Sequence, residues 1–266
     1  MPADVMSSAL NSNDQQTCTD SIAKKTALIH ESKCLFTPGP LNTTDGVKSQ
    51  MLIDVGSRDV AFIDVVRYIR RTLLQIAGCT EDLYTTLLLQ GSGTYSVESV
   101  FTNVLGKRAT DREVLILKNG GFAGRMQTMC QTAEYRANVL DFPQDQAMDL
   151  ALVESELAKQ PKRYTMVSIV HCETSTGMIN PIAQVGALVK KYNPDCFYMV
   201  DAMSSFGGVD VNMPALDIDF MISSANKCIE SVPGFAYVIA KKSSLMSTKG
   251  KSNEMVLAPT DCVAHC

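Results

Sequence analysis

The sequence predicts an α/β protein built on a central, mostly parallel β-sheet covered by helices on both faces. Three observations carry that prediction. Apolar runs alternate with stretches of helical spacing along most of the 266 residues. Several of those runs are continuous rather than alternating, the mark of strands buried on both faces. Polar motifs fall just past the ends of the runs, where open α/β sheets bind ligands.

The elements follow in order. Residues 1–30 are polar and mixed in charge, and they read as a disordered extension ahead of a domain over 31–250. CLFTPGPLNTT is a turn-rich lead-in, and DVVRYIRRTLLQIAG has helical spacing that closes at Gly78, a suitable C-cap. YTTLLLQ reads as a strand leading to a helix from about Tyr95, and EVLILKN as one leading to a helix from near Gly124. RANVLDF precedes a helix over Leu150–Lys159, and YTMVSIVHCE one over Ile182–Tyr192. CFYMVDA then ends in a loop, and DFMISSA and FAYVIA are the last strands. Consecutive βα units predict right-handed crossovers.

Composition narrows the function classes. Apolar residues make up 45% and charged residues 20%, with a formal charge of −4, so no basic footprint for nucleic acid exists. A small acidic substrate stays open, because one local cation binds it whatever the net charge. Nine cysteines, an odd number without C-x-x-C pairs, fit reduced thiols in the cytoplasm better than a disulfide framework. The tail CVAHC gathers Cys262, His265 and Cys266, too few ligands for a zinc site, and no metal is expected. No apolar run approaches the ~18 residues of a membrane span. The N-terminus lacks a secretory core and the arginines of a typical mitochondrial presequence, although a mitochondrial location stays open.

Four strand ends carry chemistry. In QGSGTYSVES a strand runs into Gly91-Ser92-Gly93-Thr94 at a helix start, where backbone N–H groups, hydroxyls and the helix dipole converge on an anion such as phosphate. HCETSTGMINP brings Glu173 and the hydroxyls of Thr174, Ser175 and Thr176 to a second end, where the hydroxyls suit a phenolic oxygen or a substrate. In MVDAMSSFGG, Asp201 is either an internally paired structural acid or the partner of a protonated heteroaromatic nitrogen. In DFMISSANKCIESVPGFAYVIA, Lys227 occupies a short polar break between two apolar runs. Those flanks hold its amine near a core, a setting in which lysines act as nucleophiles. Phe122 in NGGFAGRM either packs in the core or stacks on a ring.

Cradle, hydroxyl-rich end, buried acid and lysine, in that order, are the parts that hold pyridoxal phosphate. The motifs LFTPGPLNTT, DVGSRD, LLLQGSGTYSVES, HCETSTGMINPI, VDAMSSFGG and SSANKCIESVPGF resemble the class V (fold type I) pyridoxal-phosphate aminotransferases. Within them the nearer likeness is to the enzymes that use 2-aminoethylphosphonate and pyruvate. The likeness runs from about Leu35 to Lys242. It implies the large domain of that fold and transfer of the amino group from 2-aminoethylphosphonate to pyruvate, giving phosphonoacetaldehyde and alanine. By matching position, Lys227 would form the Schiff base and shuttle a proton. Asp201 would pair with the pyridinium and Thr174 would sit near the ring oxygen. Ser92, Gly93 and Thr94 would hold the phosphate, and Phe122 would stack. Arg58 and Arg125 are candidates for the phosphonate, and a homodimer is implied.

Two departures stand out. Glu230-Ser231 replaces a Gln-Gly pair of the family, which is expected to alter the loop after Lys227. After Gly250, residues 251–266 do not resemble the family, so the small C-terminal domain and its carboxylate-binding arginine are expected to be missing. Two alternatives remain: a serine or alanine donor with glyoxylate, or a truncated product without catalysis.

Overall fold

The computed structural model describes residues 33–106 and 112–250. Residues 1–36 and 37–266 cluster as separate units, and of the first only 33–36 are described, without helix or strand. The expected N-terminal extension and the Cys262–His265–Cys266 tail lie outside the described residues.

The second unit begins with a short helix α1 (Asp45–Gln50) and the long α2 (Val60–Ile76). The C-terminus of α2 shows why the chain turns where it does. Gly78, at φ 68°, sends its N–H to Gln75 O, and Cys79 N–H reaches back to Leu74 O at 2.9 Å. Only a residue that tolerates the left-handed region closes a helix with that bond pair.

Seven strands form the main sheet: β1 (Tyr84–Gln90), β2 (Val114–Lys118), β3 (Ala137–Asp141), β4 (Met166–Val170), β7 (Phe197–Asp201), β8 (Phe220–Ser224) and β9 (Phe235–Lys241). Their order is β1-β9-β8-β7-β4-β2-β3. All neighbours pair in parallel except at β9, which is antiparallel to both β1 and β8. The C-terminal ends of β1, β2, β4, β7 and β8 therefore share one edge of the sheet.

Five further helices fill the connections: α3 (Gly93–Leu105), α4 (Gly121–Thr132), α5 (Leu150–Lys159), α6 (Ile182–Tyr192) and α7 (Lys242–Ser247). Alternate residues of each strand feed two cores. Leu115, Val167, Tyr198 and Met221 pack on one face with Leu74 of α2, Leu157 of α5 and Val185 of α6. Val114, Met166, Met199 and Ile222 pack on the other with Phe101 of α3 and Met126 of α4. Burial on both faces is the reason these strands read as unbroken apolar runs. Each enclosed Val, Leu or Ile contributes about 1.5–3 kcal/mol.

The predicted sheet is present, with three differences. Helices α3 and α4 begin at Gly93 and Gly121, earlier than expected, because glycines open both and hide the start. The run through HCE is not one strand. Asn180 breaks it, donating its N–H to His171 O at 2.7 Å and its side-chain amide to Val170 O at 2.8 Å. The residues that follow fold as a ribbon of β5 (Cys172–Glu173) and β6 (Met178–Ile179). Finally, β9 runs against the rest. None of the helices among the described residues is long and apolar enough to cross a membrane.

Candidate active site

A cavity of about 170 Å³ opens at the C-terminal edge of the sheet. Its wall includes Ser92, Gly93 and Thr94 from the start of α3, Phe122 from α4, Asp201 from the end of β7 and Lys227 from the β8–β9 loop. Arg125, Met129, Met203 and Asn226 complete much of the remainder.

Lys227 sits in a turn over Ala225–Ile229 that backbone bonds close on both sides. Glu230 N–H donates to Lys227 O at 2.8 Å, and Ser231 N–H to Ala225 O at 2.9 Å. The lysine is half-buried, and its Nζ lies 3.4 Å from Gly39 O. Leu41 N–H donates to Asn226 O at 3.2 Å, so the TPGPL stretch is strapped across the lysine turn.

Asp201 ends its strand with only 5% of its surface exposed. Its Oδ1 accepts the N–H of Met203 at 2.9 Å, and it has no ion pair among the described residues. Burial pushes its carboxyl up to about 6; the charge of Glu173 adds to the rise, and the Met203 N–H, Lys227 and Arg125 oppose it. A buried carboxylate in that state lacks a cation, and a protonated ring nitrogen would supply one.

The start of α3 leaves hydrogen-bond donors unused. Ser92 is the N-cap, yet its hydroxyl makes no capping bond. The first-turn N–H groups of Gly93 and Thr94 have no intrahelical acceptor, and the positive end of the helix dipole adds to them. Gly91 holds the approach at φ 113°, its N–H bonded to Gly234 O at 2.9 Å. Free donors at a helix start, a half-buried amine and an unpaired buried acid are a donor set that fits a phosphorylated heteroaromatic aldehyde.

Two predicted residues stand apart from this wall. Thr174 Oγ1 lies 2.6 Å from Ser204 Oγ and is not among the lining residues. Arg58 is exposed in the turn ahead of α2, also outside the wall. Arg125 does line the cavity, with its guanidinium 5.2 Å from the centre of the Phe122 ring and without an ion pair among the described residues. His171 is buried against Ser205, Nδ1 to Oγ 2.9 Å, and burial pulls its pKa down. Sequence reasoning missed the strap at Gly39, the thioether of Met203 and the full enclosure of Glu173. Only the TPGP motif gave a hint of the first.

This arrangement has relatives among known proteins. The family model described as "Aminotransferase class-V" matches residues 48–256. The chain belongs to the class V aminotransferases. The match runs past Lys242, where the likeness of motifs ends, and takes in residues 251–256, which were expected not to resemble the family. This class V chain is 45% identical over 224 residues to a 2-aminoethylphosphonate–pyruvate transaminase of Klebsiella pneumoniae, covering 84% of the chain and 59% of that protein. It is 43% identical over 223 residues to a bifunctional phosphonoacetaldehyde hydrolase/aminoethylphosphonate transaminase of Clostridioides difficile, covering 84% of the chain and 34% of that protein. The chain thus spans less than two thirds of the length of these relatives. Among solved structures, an alanine–glyoxylate aminotransferase from Nostoc sp. aligns with TM-score 0.79 at 23% identity, over 88% of this chain and 61% of that one. An aspartate aminotransferase from Thermus thermophilus gives 0.75 at 25% identity, over 86% and 62%. The shared fold is type I, and class V aminotransferases depend on pyridoxal phosphate.

Proposed function

We propose that this chain binds pyridoxal phosphate and serves a transaminase that moves the amino group of 2-aminoethylphosphonate to pyruvate. One observation carries the reading: Lys227, Asp201 and the unused donors of Ser92–Thr94 line a single cavity. The names and 43–45% identity of the relatives support the choice of donor.

When bound, the cofactor supplies a carbonyl that takes the amine and a ring that stores an electron pair. The chain's own groups do the rest. Ser92 Oγ and the N–H groups of Gly93 and Thr94 hold the phosphate and fix the ring in the slot. Asp201 holds a proton on the ring nitrogen and so keeps the ring electron-poor. Phe122, which lines the cavity, would pack against the ring. Lys227 Nζ would hold the cofactor through its carbonyl and would move a proton at the donor's reacting carbon. Arg125 is the cation for the donor's phosphonate, because it lines the cavity and Arg58 does not. Thr174 keeps the ring oxygen as its target on the strength of its motif, with Ser204 as a shared partner. A homodimer in the cytoplasm is part of the proposal, and the free thiols of the six described cysteines agree with a reducing setting.

The test is borohydride reduction of the chain after incubation with pyridoxal phosphate, followed by peptide mapping. A single adduct on Lys227, absent from Lys227→Ala, is expected. Labels scattered over exposed lysines would sink the reading. The donor is then tested by conversion of the bound cofactor to its amine form with 2-aminoethylphosphonate, serine or alanine. Faster conversion with serine or alanine would move the chain to a glyoxylate-type reaction.

A further inference from the structure

Glu173 stands outside the cavity wall, yet it has 0% exposure, below every other Asp or Glu among the described residues. No cation pairs with it there. Its hydrogen bonds come instead from the first turn of α4 and from Ser175. The N–H of Phe122 points between its two oxygens at 3.3 and 3.2 Å, and that of Ala123 reaches Oε2 at 3.2 Å. Ser175 adds its N–H at 3.3 Å and its hydroxyl at 2.6 Å. The same hydroxyl accepts the N–H of Gly121 at 2.8 Å.

This is a helix cap delivered from a different element. The N-cap position is Gly120, which has no side chain to offer. A Cβ there would come within 2.3 Å of Glu173 Cγ, so the glycine is what lets the carboxylate approach. An enclosed charge is costly unless it is fully bonded, and the helix dipole together with these charge-assisted bonds offsets that cost. A cap from Ser or Asp at position 120 would finish the helix equally well. It would not tie α4 to β5. The tie falls on the backbone of Phe122, a residue that lines the cavity.

We propose that Glu173 is a positioning residue for Phe122: it fixes the first turn of α4 so that the aromatic ring stands at the height a bound cofactor ring needs. The proposal rests on the cofactor reading given above and concerns binding, not turnover. It predicts that loss of Glu173 acts through Phe122 and spares the phosphate cradle, which belongs to α3.

The experiment is a double-mutant cycle on the full chain, with dissociation constants for pyridoxal phosphate and, separately, for inorganic phosphate, alongside melting temperatures. Glu173→Gln is expected to weaken pyridoxal phosphate about tenfold. In a Phe122→Leu background the same change is expected to cost less than about threefold, because the ring it positions is gone. Inorganic phosphate affinity is expected to stay within about twofold throughout. Ser175→Ala, which removes one strut of the clamp and keeps the carboxylate, is the second variant. It is expected to weaken pyridoxal phosphate about threefold, and it decides the matter if Glu173→Gln does not fold. Additive effects in the cycle, equal weakening of both ligands, or an unchanged affinity in Ser175→Ala would overturn the proposal. A wild-type chain that takes no pyridoxal phosphate would fail the cofactor reading itself, a distinct result.

Discussion

The side chain of Lys227 lies where Gly39 has none, although the two residues are 188 positions apart, with Nζ 3.4 Å from the Gly39 carbonyl. A Cβ on Gly39 would stand 2.2 Å from Lys227 Cδ and 2.8 Å from Nζ. The lysine stem is flexible, so it would yield by moving, and its movement is the damage. Gly39 also sits at φ 128°, where an L side chain costs about 1–3 kcal/mol. Gly39→Ala is therefore expected to lower the melting temperature by a few degrees and to cut the borohydride-trapped adduct on Lys227 at least about tenfold. Trapping at wild-type yield would show that the strap does not govern the amine.

The buried carboxyl of Asp201 predicts a pH dependence of stability for the ligand-free chain. Its folded pKa of about 6 lies above the unfolded value of 3.8, so the folded state keeps a proton that the unfolded state has lost. The associated stability is complete below about pH 3.8 and is lost as pH rises toward 6, an effect on the order of 3 kcal/mol. His171 works the other way, because its lowered pKa favours the folded state above its ordinary value of 6.5 and costs stability as pH falls. The difference between wild type and Asp201→Asn in urea unfolding from pH 4 to pH 7 isolates the first effect. Parallel stability curves for the two proteins would contradict it.

What could be read from the sequence depended on where the physics is local. Most of the strands were legible because both of their faces are buried, as the split of Leu115 and Val114 into opposite cores shows. Gly78 announced the end of α2 for the same reason: one backbone angle requires it. Lys227, Asp201 and Ser92–Thr94 were legible as polar breaks at strand ends, and the sheet brings them together. Gly39 and Glu173 were not, since their roles depend on contacts with residues 188 and 51 positions away that no local pattern encodes. The direction of β9 was likewise invisible, because an apolar run does not state which way it points.

The Glu230-Ser231 departure resolves into one strained residue. Glu230 has φ 58° and is exposed, whereas Ser231 is not among the positive-φ residues and donates its N–H to Ala225 O. The strain thus falls on the glutamate, not on the site of the lost glycine. A non-glycine residue there gives up about 1 kcal/mol, and asparagine tolerates the region better than glutamate. Glu230→Asn is expected to stabilise the chain by about 0.5–1 kcal/mol in denaturant titration. Glu230→Gly is expected to gain less, because glycine also loosens the unfolded chain. Equal stability for glutamate and asparagine would show that the turn carries no strain.

Gly93 and Met203 make the last testable contact. A Cβ on Gly93 would fall 2.0 Å from Met203 Cε and 2.4 Å from its Sδ. Gly93 does not have a positive φ and the clashing atoms are the far end of a flexible side chain, so Gly93→Ala is not expected to harm the fold. Its cost lies in the cavity, where the methionine must swing aside from the cradle. The expected result is an unchanged melting temperature with pyridoxal phosphate affinity reduced about tenfold. Met203→Ala in the same chain removes the clash and should restore most of that affinity. Without rescue, the loss would come from the altered N–H geometry of the helix start, and Met203 would be only a neighbour of the phosphate site.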